Sequence, residues 1–340
     1  MNFIACDLGG TKVLLGLYKS LEDGKPILIK KEKYISQDWN SFDSILETFL
    51  NNNCDGNQFP KKACFAIAGP IINNSSNLTN LSWFIEGENI RNKFNLDTVE
   101  LINDFAVLIY GIPFLNNNQY KTLQKGNNLN TKNNYFHTIV GAGTGLGIAR
   151  GLIFPNKIEI LCSEGGHNEF APRSSKEWEL KEWIKSFLKL DRISSERIIS
   201  GEGLTNIAEW RFSKSDANYH PFKEILEASR DSQKLRKKIP AEICKISNQG
   251  DKLMREIENT WISAYASLLG DIAIHELCFG GLWIGGGTAP KHIKNFSSNA
   301  FMKHFCNKGR YKDIVKSIPV KVILDEEFGL HSAACRAMML

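Results

Sequence analysis

The stretch Ile4-Ala5-Cys6-Asp7-Leu8-Gly9-Gly10-Thr11-Lys12-Val13 decides the fold, because the chain contains a second version of it. A short β-prone run enters a Gly-Gly-Thr turn and another β-prone run leaves it. Thr138-Ile139-Val140-Gly141-Ala142-Gly143-Thr144-Gly145-Leu146-Gly147 follows the same order. Aligning Gly10-Thr11 with Gly143-Thr144 gives an offset of 133 residues (143 minus 10). That is close to a domain of about 150 residues, so 340 residues predict two α/β halves, each opening with a strand-turn-strand hairpin.

The rest of the chain fits an α/β pattern, with short β-branched runs alternating with longer amphipathic ones. Strands are expected at 2–6, 12–18, 63–68, 98–102, 136–141, 146–153, 281–285 and 319–324. Helices are expected at 41–52, 104–112, 176–188, 202–212, 221–230 and 251–278. In the last of these, Trp261, Ala264, Tyr265, Leu268, Leu269, Ile272 and Ala273 recur at three- and four-residue spacing and form an apolar stripe. The Asn-rich segment 116–134 reads as an exposed loop near the domain boundary.

Composition narrows the function. Hydrophobic residues make up 42% and charged residues 23%, which is ordinary for a globular protein and excludes wholesale disorder. The net charge of +5 is small for this length, and the basic run Lys234-Leu235-Arg236-Lys237-Lys238 reads as a solvated helix face, not a nucleic-acid contact. Eight scattered cysteines show no C-x-x-C pair, and several lie in apolar stretches such as Ala63-Cys64-Phe65. The start Phe3-Ile4-Ala5-Cys6-Asp7 leads to the expectation of no signal peptide, and no apolar run in the sequence reaches membrane-spanning length. The expectation is a reduced, cytoplasmic protein without membrane or nucleic-acid partners.

Several residues carry candidate chemistry, each with a plainer alternative. Glycine turns present backbone N–H groups to a phosphate, and each Thr adds a hydroxyl donor; an ordinary hairpin turn needs the same residues. Asp7 can hold Mg²⁺ directly or through water. Asn103-Asp104 ends a strand, where α/β folds place ligand groups, yet Asp104 can equally cap the following helix. Glu164-Gly165-Gly166-His167 offers a carboxylate and an imidazole to sugar hydroxyls, or is a surface turn. Cys162, Glu164 and His167 match no common metal-ligand spacing. The glycines of Gly285-Gly286-Gly287 allow a flat base close to the backbone, or a tight strand-to-helix connection. The dinucleotide fingerprint, the Walker-type loop and the nucleophile elbow are all absent.

Read together, these pieces resemble the bacterial glucokinase family of the hexokinase/actin-like ATPase superfamily from end to end. Asp7-Leu8-Gly9-Gly10-Thr11 resembles its first phosphate loop, and Leu78-Thr79-Asn80-Leu81-Ser82-Trp83 resembles a T-N-x-x-W segment. Ile102-Asn103-Asp104-Phe105-Ala106 matches the catalytic I/L-N-D-F-A motif, and Gly141 to Gly147 the second phosphate loop. Ser163 to His167 with Phe170-Ala171-Pro172 is similar to the sugar-contact motif, and Ser195-Glu196-Arg197 with Ser200 to Leu204 to the S/A-E-R…S-G-x-G-L stretch. Gly285 to Pro290 resembles the adenosine-side loop, and Phe328-Gly329-Leu330 through Ala334 the closing helix. The chain departs from the family at Ala142, often a proline, at the loop 71–77, which lacks a glycine and an aspartate, and at His331, usually apolar. A cysteine-rich zinc motif, normal in the related repressor/open-reading-frame/kinase group, is absent.

The resemblance implies two actin-like, ribonuclease-H-like α/β domains around a central cleft, each with a mixed five-stranded sheet. The small domain would take 1–113 plus 323–340 and the large one 114–322. It implies ATP-dependent phosphorylation of glucose at its C6 hydroxyl, with a homodimer in the cytoplasm. Asp104 becomes the general base, and Asn103, Glu164, His167 and Glu196 hold sugar hydroxyls. Asp7, Gly9, Gly10, Thr11, Lys12, Gly141, Gly143, Thr144, Gly145, Gly286 and Gly287 serve ATP, with Mg²⁺ near Asp7 through water. The alternatives are a kinase for mannose or an N-acetylated amino sugar, and a non-catalytic sugar sensor on the same fold.

Overall fold

The computed structural model describes residues 1–340 except 22–23, 57–58, 79–80 and 128–134. Among the described residues the strands are β1 Asn2–Leu8, β2 Lys12–Ser20, β3 Pro26–Ile35, β4 Lys62–Ile67, β5 Ser75–Leu78, β6 Trp83–Glu86, β7 Thr98–Asn103, β8 Tyr120–Gln124, β9 Phe136–Ala142, β10 Leu146–Phe154, β11 Lys157–Leu161, β12 Gly281–Ile284 and β13 Val320–Ile323. The chain forms two compact units, one of Met1–Lys121, Ala149–Cys162 and Ile323–Leu340, the other of Thr122–Ile148 and Ser163–Val322. Residues 149–162 join the first unit, where Gly151 lies under the Ile109 side chain.

The first unit is built on a mixed sheet of order β3-β2-β1-β4-β7. Strand β1 runs antiparallel to β2 and parallel to β4, which in turn is parallel to β7. The register aligns Leu8 with Ile67 and Ile67 with Asn103, so three parallel strands end at one edge. Helix Phe42–Asn53 starts at a Ser41 cap that accepts from the Ser44 N–H. It buries Phe42, Ile45, Leu46, Phe49 and Leu50 in the cluster holding Ile4, Leu15 and Phe65. Each such side chain contributes roughly 1.5–3 kcal/mol through burial. The closing helix Phe328–Met339 packs on β1 and β4.

The second sheet runs β11-β10-β9-β12-β13-β8 and has six strands, not the expected five. The extra edge strand β8 lies inside the segment read as loop. Its Tyr-Lys-Thr-Leu-Gln sequence is polar because no residue of it is fully buried. At its end, the Gln124 side-chain amide donates through Nε2 to the Val315 and Ile318 carbonyls at 2.9 and 2.8 Å. The expected helix 251–278 is Lys252–Glu276, capped by Asp251, which accepts from the Met254 N–H. Of its apolar stripe, all but Leu268 are buried. The Trp261 indole donates to the Ser200 carbonyl at 3.0 Å and the Tyr265 hydroxyl to the Val140 carbonyl at 3.1 Å. No helix among the described residues is long and apolar enough to cross a membrane.

The basic run 234–238 is not simply solvated. Arg236 turns inward and donates to Glu202 at 2.7 Å and to the buried Glu209 at 3.3 Å.

Candidate active site

In the first unit, the expected helix 104–112 begins only at Leu108, and residues 104–107 form a turn. Asn103 is the reason. Its Oδ1 accepts from the Phe105 and Ala106 N–H groups at 3.0 Å each, holding the chain in an Asx-type turn. The Asn103 amide also donates to the Gly69 carbonyl at 3.2 Å. The capping work that the sequence left open for Asp104 therefore falls to Asn103. Asp104 is held by its own N–H, which donates to the Ile67 carbonyl at 2.9 Å.

Burial pushes the Asp104 carboxyl up to about 6, helped by the charge of Asp7 and partly offset by the backbone N–H groups of Phe105 and of Asp104 itself. Asp7 is raised as well, by burial first, with Lys12 opposing and Glu327 adding to the rise. Its carboxylate reaches the start of the closing helix, where a Cβ on Gly329 would stand 3.2 Å from Asp7 Oδ2; the glycine permits that approach. Gly9, Gly10, Thr11 and Lys12 form the turn between β1 and β2, closed by the Gly9 N–H donating to the Lys12 carbonyl at 3.0 Å. Gly10 borders a cavity of about 380 Å³ shared with Gly69, Pro70, Ser76 and Phe84.

The departing loop 71–77 folds without glycine. Asn73 and Asn74 both take positive φ, 50° and 56°, between Ile72 and Ser75, which exchange backbone hydrogen bonds. The Asn74 side chain accepts from the Leu101 N–H and donates to the Val99 carbonyl, pinning the loop to β7. Thr79 and Asn80 of the T-N-x-x-W segment lie outside the described residues, and Trp83 is buried. His331 is half-buried in the closing helix, and burial keeps its imidazole below its usual range.

In the second unit, the glycine loop between β9 and β10 is braced by the segment after Ser195. The Gly201 N–H donates to the Gly143 carbonyl at 2.8 Å, and the Gly143 N–H to the Gly145 carbonyl at 2.7 Å. Glu196, in the short 3-10 turn Ser195–Arg197, accepts from the Leu146 N–H through Oε2 at 2.9 Å. A Cβ on Gly145 would come within 2.5 Å of that oxygen, so the loop and the carboxylate approach each other only because residue 145 has none. Gly141 lies within β9. Gly286 and Gly287 follow β12, where the Gly285 N–H donates to the Val140 carbonyl and the Thr288 hydroxyl to the Ala142 carbonyl.

Glu164 and His167 are exposed at either end of the 3-10 turn Gly165–His167. Segment 167–170 lies along 192–195: the Ser195 N–H donates to Asn168 at 2.7 Å, the Phe170 N–H to Ile193 at 2.9 Å, and Arg192 to the His167 carbonyl at 2.8 Å. The structure thus ties the Glu164–His167 turn to the segment that carries Glu196. Cys162 is an exposed free thiol.

Gly143 and Thr144 open onto a cavity of about 830 Å³ whose walls include Glu202, Lys245, Lys291 and His292. Arg236 and Lys237 line it too, so the basic run contributes to a pocket rim. Sequence reading missed Lys245, Lys291 and His292, which come from two separate elements with no shared motif, and read Arg236 and Lys237 as solvated. Backbone N–H groups from a glycine loop, a hydroxyl and nearby cations suit a polyanion.

A sequence model of the Glucokinase family matches residues 4–339. The chain is 35% identical over 344 aligned residues to the glucokinase of Nostoc sp., covering 99% of each chain. Its fold is similar to that of a glucokinase from an Antarctic psychrotroph, with a TM-score of 0.81 at 23% identity, covering 100% of this chain and 99% of that one. It is also similar to a ROK family glucokinase from Streptomyces griseus in complex with glucose and AMPPNP, with a TM-score of 0.63 at 18% identity and full coverage of both chains.

Proposed function

The chain belongs to the glucokinase family, and on that premise we propose that it phosphorylates glucose at the C6 hydroxyl with ATP, with Asp104 as the general base. The observation that carries the assignment is the Asn103-Asp104 pair. Asn103 spends its side chain on the turn, leaving the Asp104 carboxylate at the carboxyl end of β7 with an affinity for protons raised to about 6. A base tuned near its working pH accepts a proton while remaining mostly ionised at neutrality.

The C6 hydroxyl proton passes to Asp104 as the O6 oxygen bonds the γ-phosphorus, and the bond to ADP breaks. Phosphoryl transfer depends mainly on positioning and charge stabilisation. In the second unit, Gly143, Thr144 and Gly145 meet the phosphates, and the cavity beside them takes the adenosine, with Gly286 and Gly287 on its β12 side. In the first unit, Gly9, Gly10, Thr11 and Lys12 serve the phosphates. Glu164, His167 and Glu196 hold sugar hydroxyls; Asn103 contributes by shaping the turn under Asp104.

Mg²⁺ fits the first unit. The charge of Asp7 raises the proton affinity of Asp104, and a hard divalent cation beside Asp7, bound through water and oxygen donors, would balance that charge. When bound, the ion neutralises charge on the transferring phosphates. A homodimer in the cytoplasm is carried over from the family resemblance.

A coupled assay over a panel of hexoses with ATP tests the reading. Glucose should give the largest kcat/KM, and deoxy analogues should suffer because the side chains that hold the missing hydroxyl lose their partner. A tenfold preference for an N-acetylated sugar contradicts it.

A further inference from the structure

Three side chains on the wall of the larger cavity are of the kinds that bind borderline cations. Cys244 comes from helix Ile239–Asn248, Glu258 from helix Lys252–Glu276, and His292 from the 3-10 turn Ala289–His292. One ligand-capable atom from each lies within 4.8 Å of the other two. His292 Nδ1 is 3.5 Å from Glu258 Oε1. We propose that Cys244, Glu258 and His292 form a binding site for a divalent cation of the Zn²⁺ class, held by a thiolate, a carboxylate oxygen and an imidazole nitrogen.

The donor set selects the ion. Sulfur and imidazole suit Zn²⁺ and its neighbours, whereas Mg²⁺ takes oxygen donors and keeps its waters. This site is therefore chemically separate from the one at Asp7. Its outer shell is already in place: Ser247 Oγ donates to Glu258 Oε2 and Asn295 Nδ2 to Glu258 Oε1, both at 2.6 Å. The Trp261 ring, 5.0 Å from the His292 ring between centroids, restricts the imidazole. Partners of this kind orient metal ligands.

Glu258 and His292 are 7% and 9% exposed, Cys244 is half-buried, and all but the cavity side is covered by protein. Three protein ligands facing a cavity leave a fourth position for water, the arrangement of an open Zn²⁺ site. Binding takes Cys244 as its thiolate, the thiol proton leaving to solvent. Because the cavity is also the proposed adenosine site, the cation and the nucleotide should exclude one another. That consequence rests on the functional reading; the metal site does not.

The test uses the full chain, stripped with a chelator and dialysed against Zn²⁺ alone. One equivalent should bind, and Cys244→Ser or His292→Gln should each lower affinity at least tenfold, while Cys162→Ser leaves it unchanged. Co²⁺ in place of Zn²⁺ should give a thiolate-to-metal absorption band that Cys244→Ser removes. Should Cys244→Ser fail to fold, the Co²⁺ band of the unaltered chain and the His292→Gln titration decide. Absence of that band, or wild-type Zn²⁺ affinity in folded His292→Gln, overturns the proposal. Stoichiometric Zn²⁺ binding by a chain that, once stripped of Zn²⁺ and supplied with Mg²⁺ and ATP, phosphorylates no hexose would instead overturn the functional reading alone.

Discussion

Glu196 accepts the Leu146 N–H through Oε2 at 2.9 Å, in the space that a side chain on Gly145 would fill. One residue of the sugar motif is thus part of the second glycine loop's support. A hydrogen bond to a charged group contributes about 1.5–3 kcal/mol, enough to hold the loop in one geometry. Glu196→Ala should therefore raise KM for both ATP and glucose, by about tenfold or more, as measured by varying each substrate at saturation of the other. A residue that touches only the sugar would move the glucose value alone.

Gly143 and Gly145 should behave oppositely. A Cβ on Gly143 meets no atom within 4 Å, so Gly143→Val should fold with a near wild-type Tm and bind glucose normally. Its side chain would occupy phosphate space, raising the KM for ATP at least about tenfold, whereas Gly145→Ala drives a methyl into Glu196 and should cost about 1–3 kcal/mol of stability. Calorimetry on both variants, with ATP titrations, checks the pair.

The pH profile should show the base. Asp104 titrates near 6, so kcat/KM should fall about tenfold per pH unit below that point as the base is protonated. The same shift affects stability. The folded chain holds the Asp104 proton at a higher pH than the unfolded chain, so between about pH 4 and 6 its contribution to stability falls as pH rises, and at neutrality the buried charge is a cost. Asp104→Asn should thus match or exceed the wild-type Tm at pH 7.5 and lose that advantage near pH 4.

Much of this was legible in the sequence where local chemistry and tertiary role coincide. The β1–β2 hairpin, its counterpart at β9–β10 and helix Lys252–Glu276 follow from patterning that burial enforces. Strand β3 escaped notice because its Lys30, Lys31 and Lys33 mark a solvated sheet edge, where apolar alternation is not required. Asn103 and Asp104 were recognisable as a pair, but which one caps depends on side-chain direction. The trio Cys244, Glu258 and His292 spans three elements without a motif spacing, and only folding brings it together. Arg236 looked solvated because its partners, Glu202 and Glu209, lie on another helix.

Asp104→Asn tests the central claim most directly, because it keeps shape and hydrogen bonding but cannot accept the proton. Removing a general base typically costs about 10²–10⁴-fold, so kcat should fall at least about a hundredfold while glucose affinity and Tm stay near or above wild type. Since Asn103 already makes the capping bonds, loss of a cap cannot account for such a fall. Turnover near the wild-type value in this variant would contradict the mechanism.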